Sequence, residues 1–189
     1  MTYRTLTQRA RNVRLVILDV DGVLTDGSIW TGENGELVKR FFTRDGLGIK
    51  MLQAAGIPVA ILTGRVSAQT AARCRELGIT SVAQGKRFKT DAFRALLSEH
   101  NVSAEETAYV GDDVPDIPVL RAAGLSAIPA DASAEVRPLA HFVSDFTGGN
   151  GAVRSLAELI LKAQGKWDAL IFDHYVREKG QLSFTSGIN

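Results

Sequence analysis

The sequence predicts an α/β fold: a doubly wound parallel sheet flanked by helices, with a β-hairpin insert after the first strand. Three observations point there. Short, wholly apolar runs recur along the chain and read as strands buried on both faces. Segments of helical periodicity separate them, an alternation that closes a parallel sheet. One stretch breaks the alternation with a turn signal between two short strand-like runs.

The elements follow in order. The start, MTYRTLTQRARNVR, is basic and has no acidic residue. A transit peptide shares that composition, but the segment runs directly into the first apolar run, and Leu6, Ala10 and Val13 recur at helical spacing. A short lead-in helix is expected. The apolar runs are residues 14–19 (RLVILD), 58–63, 107–111, 125–128 and 141–143. Helices are expected near 46–56, 67–77, 88–100, 116–123, 133–138 and 151–164, with Gly56, Gly78 and Gly124 as left-handed C-caps. Residues 28–42 carry the hairpin, turning at Glu33-Asn34-Gly35. Placed after the first strand, it would stand over the carboxyl edge of the sheet, where open α/β sheets bind ligands. We divide the chain into a domain, residues 1–166, and a C-terminal tail, 167–189, in which Phe172, His174, Tyr175 and Phe184 continue no period.

Composition excludes several classes. The chain of 189 residues holds 22 Lys plus Arg against 21 Asp plus Glu, so no charge excess draws it to nucleic acid or to a membrane surface. No apolar run reaches the ~18 residues of a membrane span. The single cysteine, Cys74, rules out an internal disulfide framework and suits a reducing compartment. Cytoplasmic location is the expectation.

Asp19 and Asp21 end the first buried run. Two carboxylates so close repel, and a hard cation such as Mg²⁺ would relieve them; alternatively, Asp21 simply forms the turn before Gly22. The segment Gly111-Asp112-Asp113-Val114-Pro115-Asp116 also follows a buried strand. In a parallel sheet all such ends share one edge, so Asp112 can join Asp19 and Asp21, while Asp113 or Asp116 caps or lines the next turn. Thr63-Gly64-Arg65 ends another strand before a helix, a pattern that can cradle phosphate or be an ordinary turn. A lysine should balance the phosphate charge. Lys89, at a helix start, is a better candidate than Lys86, and the solvated surface is the usual alternative for both.

In this order, Asp19-x-Asp21-Gly22-Val23-Leu24-Thr25, Thr63-Gly64-Arg65, Lys89 and Gly111-Asp112-Asp113-x-x-Asp116 resemble the four motifs of the haloacid dehalogenase-like hydrolases, over about residues 14–128. The resemblance implies a Mg²⁺-dependent phosphatase. Asp19 would be the nucleophile that forms an aspartyl-phosphate, and Asp21 the acid and then the base. Asp19, the Asp21 backbone carbonyl and Asp112 would hold Mg²⁺, while Thr63 and Lys89 would hold the phosphoryl oxygens.

The spacing leaves no room for a separate cap domain. Thr43, Arg44, Asp45, Gly46 and Lys50 open the helix after the hairpin, and Gly64, Arg65 and Arg73 lie near the same edge. With Lys89 they form the expected substrate rim, suited to a carboxylate as well as a phosphate. Ordinary exposed helix charge is the alternative for Arg73. The segments RDGLGIK, QGKRFK and GGNGAVR with the rest resemble a group within this family acting on phosphates of eight-carbon 2-keto sugar acids. That implies a homotetramer in which hairpins cap neighbouring sites. A nine-carbon sugar acid phosphate is the alternative substrate. A phosphotransferase would need a cap, and a non-catalytic scaffold would lack one of the five motif residues, all of which are present.

Overall fold

The structure, a computed structural model, describes residues 4–33 and 35–173. Helix α1 (Leu6–Arg11) leads into β1 (Leu15–Leu18), the hairpin strands β2 (Trp30–Gly32) and β3 (Gly35–Val38), and α2 (Thr43–Ala54). Then follow β4 (Val59–Leu62), α3 (Ala68–Leu77), β5 (Val82–Ala83), α4 (Lys89–Glu99), β6 (Thr107–Val110), α5 (Ile117–Ala122), β7 (Leu125–Ile128), β8 (Phe142–Val143), α6 (Ala152–Ala163) and α7 (Trp167–Ile171).

Six strands form one sheet in the order β5-β4-β1-β6-β7-β8, every pairing parallel. The two-residue period of a strand sends its apolar residues to both faces. Val16 and Leu18 enter one core with α2, α6 and α7; Leu15 and Ile17 enter the other with α4 and α5. All four are fully buried, each side chain contributing about 1.5–3 kcal/mol of transfer free energy. The chain leaves β1 toward β4 and β5, then returns to β6 on the other side. The order therefore reverses between β1 and β6, and this is where a crevice opens at the carboxyl edge.

The expected parallel sheet and hairpin are present, and three details differ. Residues 133–138 do not form a helix: a turn precedes a short 3-10 segment at Arg137–Leu139, with Pro138 in place of an amide donor. Gly124 is not a left-handed cap; it is glycine because a Cβ would lie 2.1 Å from the Glu105 carbonyl oxygen, whereas Gly56 and Gly78 have φ of +79° and +69°. The segment from residue 167 begins as α7, whose buried Leu170 joins the core, so helical order continues past the expected boundary at 166. Strand β5, two residues long, had too little apolar length to be read from sequence. Asn34 of the expected turn, and His174, Tyr175 and Phe184 of the tail, lie outside the described residues. Among the described residues no helix is long and apolar enough to cross a membrane.

Candidate active site

A cleft of about 430 Å³ opens at the reversal point. Asp19, Asp21, Thr63, Gly64, Arg65, Lys89 and Asp112 line it, together with Gly22, Gly27, Arg87, Asp113, Pro115 and Asp116. Four strand–loop junctions therefore deliver the motif residues to one place.

Lys89 occupies the first turn of α4 and is 3% exposed. Its Nζ donates to Asp19 Oδ2 at 2.6 Å and to Asp116 Oδ1 at 2.5 Å, and stands 3.3 Å from the Tyr109 hydroxyl. Burial alone would lower its pKa, but the two carboxylates outweigh burial and hold it above its ordinary value. Asp19 Oδ1 accepts from the Val20 amide at 2.6 Å. Asp116 is saturated: Oδ1 accepts from Lys89 and from Tyr109 at 2.5 Å, and Oδ2 accepts from the amides of Asp112 and Asp113 at 2.9 and 3.3 Å. Sequence reasoning had assigned Asp116 only to the turn. The turn cap is Asp113, which accepts from Val114 N at 2.8 Å.

The Asp112 carboxylate lies over Gly22, where φ is +81° and a Cβ would come within 2.0 Å of Oδ2. A glycine is required there on both counts. Oxygens of Asp19, Asp112 and Asp116 lie within 4.8 Å of one another. Burial, with Asp116 adding to it and Lys89 opposing, pushes Asp19 up to about 6. Burial, then the charges of Asp116 and Asp19, pushes Asp112 up to about 7. One lysine does not neutralise three carboxylates, and an added divalent cation would. With Asp116 saturated, Asp19 and Asp112 are the pair that fits such an ion.

Asp21 turns the other way. Its Oδ1 pairs with Lys39 at the hairpin exit, and Oδ2 is 3.6 Å from Arg65 Nε. The Lys39 side chain is only 2% exposed, unlike the usual surface lysine. Thr63 is buried at the end of β4, and Ser67 caps α3 through Thr70 N at 3.2 Å. Lys86 does not line this cleft.

Thr43, Arg44, Asp45, Gly46, Lys50 and Arg73 do not line the cleft either. Arg44 borders a separate groove with Phe146, Asn150 and Arg154. Asp45, 1% exposed, accepts from the Gly151 and Arg154 amides at 3.1 and 2.8 Å, so it caps α6 instead of facing a ligand. The Arg73 guanidinium stacks on Phe41 at 5.8 Å, pairs with Glu76 at 2.8 Å, and fills the space beside Gly46, where a Cβ would be 2.4 Å from it. Lys39, Arg87 and Tyr109 are the site residues sequence reasoning missed; Asp116, expected at the turn, is also the partner of Lys89 and Tyr109. Tyr109 reads as one more apolar-run residue, and Lys39 and Arg87 as solvated surface.

Comparisons with known proteins place the chain among similar sequences and folds. A family model described as haloacid dehalogenase-like hydrolase matches residues 47–124. The chain is 49% identical over 160 residues, 85% of each chain, to a 3-deoxy-D-manno-octulosonate 8-phosphate phosphatase of Escherichia coli strain K12. The crystal structure of the phosphatase of that name from Moraxella catarrhalis, in complex with magnesium ion, phosphate ion and KDO, superposes with a TM-score of 0.85 at 40% identity, covering 88% of this chain and 95% of that one. The cobalt-bound form of the Haemophilus influenzae phosphatase gives 0.84 at 46% identity, covering 88% and 96%.

Proposed function

The chain belongs to the haloacid dehalogenase-like hydrolases, and we propose that it is the phosphatase that converts 3-deoxy-D-manno-octulosonate 8-phosphate to 3-deoxy-D-manno-octulosonate and inorganic phosphate. The observation that carries this reading is the convergence of Asp19, Asp21, Thr63, Lys89 and Asp112 on one cleft in a chain with these relatives.

Asp19, Asp112 and the Asp21 backbone carbonyl would hold the divalent ion, magnesium in our reading, which supplies charge neutralisation between the Asp19 carboxylate and the phosphoryl oxygens. The chain's own residues do the rest. An Asp19 carboxylate oxygen attacks phosphorus, and the bond from phosphorus to the sugar oxygen breaks. Asp21 gives its proton to that oxygen, which leaves as the alcohol. Water then attacks the phosphorus of the aspartyl-phosphate, Asp21 takes its proton, and the Asp19 carboxylate is released with phosphate. Lys89 and Thr63 stabilise the phosphoryl oxygens at the transition state. Lys89 also favours the ionised form of Asp19, since its ammonium faces that carboxylate directly and opposes the effect of burial. We read Arg65, which lines the cleft beside Asp21, as the partner of a substrate carboxylate; Arg87 shares that wall.

The same reading includes a homotetramer. Its support is the hairpin, which exposes Ile29, Trp30, Leu37 and Val38 beside a site over which, among the described residues, no separate cap domain lies. Cytoplasmic location is supported by the chain's single cysteine, Cys74, which is buried and offers no disulfide framework.

A phosphate-release assay with Mg²⁺ across an eight-carbon 8-phosphate, a nine-carbon 9-phosphate and 4-nitrophenyl phosphate tests the reading. The eight-carbon substrate should show the highest kcat/KM. Preference for the nine-carbon substrate would overturn the substrate assignment alone, and no release from any of them would overturn the phosphatase chemistry.

A further inference from the structure

Residues 44–50 (RDGLGIK) and 148–154 (GGNGAVR) stood out in the sequence, and most of them lie outside the cleft, yet the two segments meet each other. We infer that Asp45 is a positioning residue: by fixing the start of α6 and the turn before it, it holds the loop that carries Asp19 and Asp21 in its working geometry. The inference rests on the phosphatase reading above.

The chain of contacts is short and runs mostly through the backbone. Helix α6 begins after Gly151, which has no side chain to cap the first amides. Asp45 supplies that cap from α2, accepting from Gly151 N and Arg154 N with its two carboxylate oxygens. Gly48 allows the approach, since a Cβ there would sit 3.1 Å from Arg154 Cα. The turn at residues 147–151 is thereby fixed at its far end. At its near end Gly148 N donates to Asp131 Oδ1 at 2.9 Å.

Between these anchors the turn lies directly on the loop after β1. Gly149 N donates to the Val23 carbonyl at 2.9 Å. A Cβ on Gly148 would reach 1.9 Å from the Gly22 carbonyl oxygen, and one on Gly149 would reach 2.6 Å from Thr25 C. The loop itself is a tight coil: the amides of Val23, Leu24 and Thr25 all point to the Val20 carbonyl, at 3.2, 2.9 and 3.1 Å. Asp21 is inside that coil. Releasing the turn at residues 147–151 removes the surface against which the coil closes, and a small misplacement of Asp21 weakens both proton transfers.

The test compares Asp45→Asn with Gln164→Ala, at the opposite end of α6, where Gln164 Nε2 donates to Val13 O at 2.8 Å. Both variants lose anchoring of the same helix. Asn has one acceptor oxygen, so one of the two amides faces its NH₂ group. Asp45→Asn should lower kcat by about 10- to 100-fold with KM for 4-nitrophenyl phosphate within about twofold, because the residues that grip the phosphate are untouched. Amide hydrogen exchange should rise in residues 20–25 and 147–151. Gln164→Ala should show neither change. Equal behaviour of the two variants, or a KM effect with kcat retained, overturns the positioning role. If Asp45→Asn does not fold, Gly149→Ala presses on Thr25 directly and must reproduce the loss of kcat; unchanged turnover there also overturns it. A wild-type protein that releases no phosphate would fail the phosphatase reading instead, and the exchange comparison would still decide whether Asp45 holds the loop.

Discussion

Lys89 stands between two carboxylates, with its Nζ 2.6 Å from Asp19 Oδ2 and 2.5 Å from Asp116 Oδ1, so one ammonium only partly offsets the charge of the proposed nucleophile and its neighbour. Replacing Asp19 by Asn removes the nucleophile and keeps the shape. Lys89 retains Asp116, and the Val20 amide retains an acceptor. Turnover should fall by roughly 10⁴-fold or more, with far-UV circular dichroism unchanged and the unfolding midpoint lowered modestly, since Asn offers one acceptor oxygen to the two donors that Asp19 serves. Near-normal phosphate release from Asp19→Asn would end the covalent mechanism.

Asp116 is the structural keystone of the same cluster. It is 1% exposed and serves Lys89, Tyr109 and two backbone amides at once. Truncation leaves a buried ammonium with one partner and strands the other donors. Asp116→Ala should therefore cost about 3–5 kcal/mol in urea unfolding. Its neighbour Asp113 bonds only at the exposed turn, and Asp113→Ala should cost about 1 kcal/mol. Equal losses in the two variants would show that the buried network is not as described.

Stability of the metal-free protein should fall as pH rises. Asp19 and Asp112 lie at about 6 and about 7 in the folded protein, against 3.8 when free. Between roughly pH 4 and pH 7 the folded state therefore binds more protons than the unfolded one, and the slope of unfolding free energy against pH is negative. At about 1.4 kcal/mol per pKa unit, the two carboxyls together oppose folding above pH 7 by at most roughly 7 kcal/mol. A cation held by these carboxylates offsets that penalty only where they are ionised. Mg²⁺ should raise the thermal midpoint more at pH 8 than at pH 5, and an equal rise at both would count against the Asp19–Asp112 pair as its ligands.

The sequence foretold what local pattern determines and missed what distant packing determines. Asp19, Thr63 and Asp112 each follow a wholly apolar run, so a parallel sheet must bring them to one edge. Lys89 opens a helix and points inward. Asp45 and Arg73 also put charged groups near the same edge, but their partners settled them elsewhere. Asp45 bonds to Gly151, 106 positions away, and Arg73 lies over Phe41 and Gly46. Lys39 went unread for the opposite reason: nothing local shows that a hairpin lysine will be buried against Asp21. The helix expected at 133–138 is reduced to a 3-10 turn at Arg137–Leu139, where Pro138 has no amide to donate.

The hairpin gives the last prediction. Two strands alone are marginal in water, yet Trp30 is 65% exposed and Leu37 59%, with Ile29 and Val38 beside them. Such a patch calls for cover, and a second copy of the chain can supply it symmetrically. The hairpin exit is tied to the site by Lys39, which pairs with Asp21, and to α3 by Gln69, whose Nε2 donates to the Leu37 carbonyl at 3.2 Å. Freeing the hairpin from a partner therefore loosens the group that holds Asp21. Trp30→Asp should shift sedimentation velocity toward smaller species, since a buried aromatic anchor is typically worth 2 kcal/mol or more, about 30-fold in association. It should also lower kcat/KM for the sugar acid phosphate, although Trp30 lies outside the cleft. A wild-type chain that sediments as a fully active monomer would leave the exposed hairpin without this role, because Asp21 would then be held by contacts within one subunit alone.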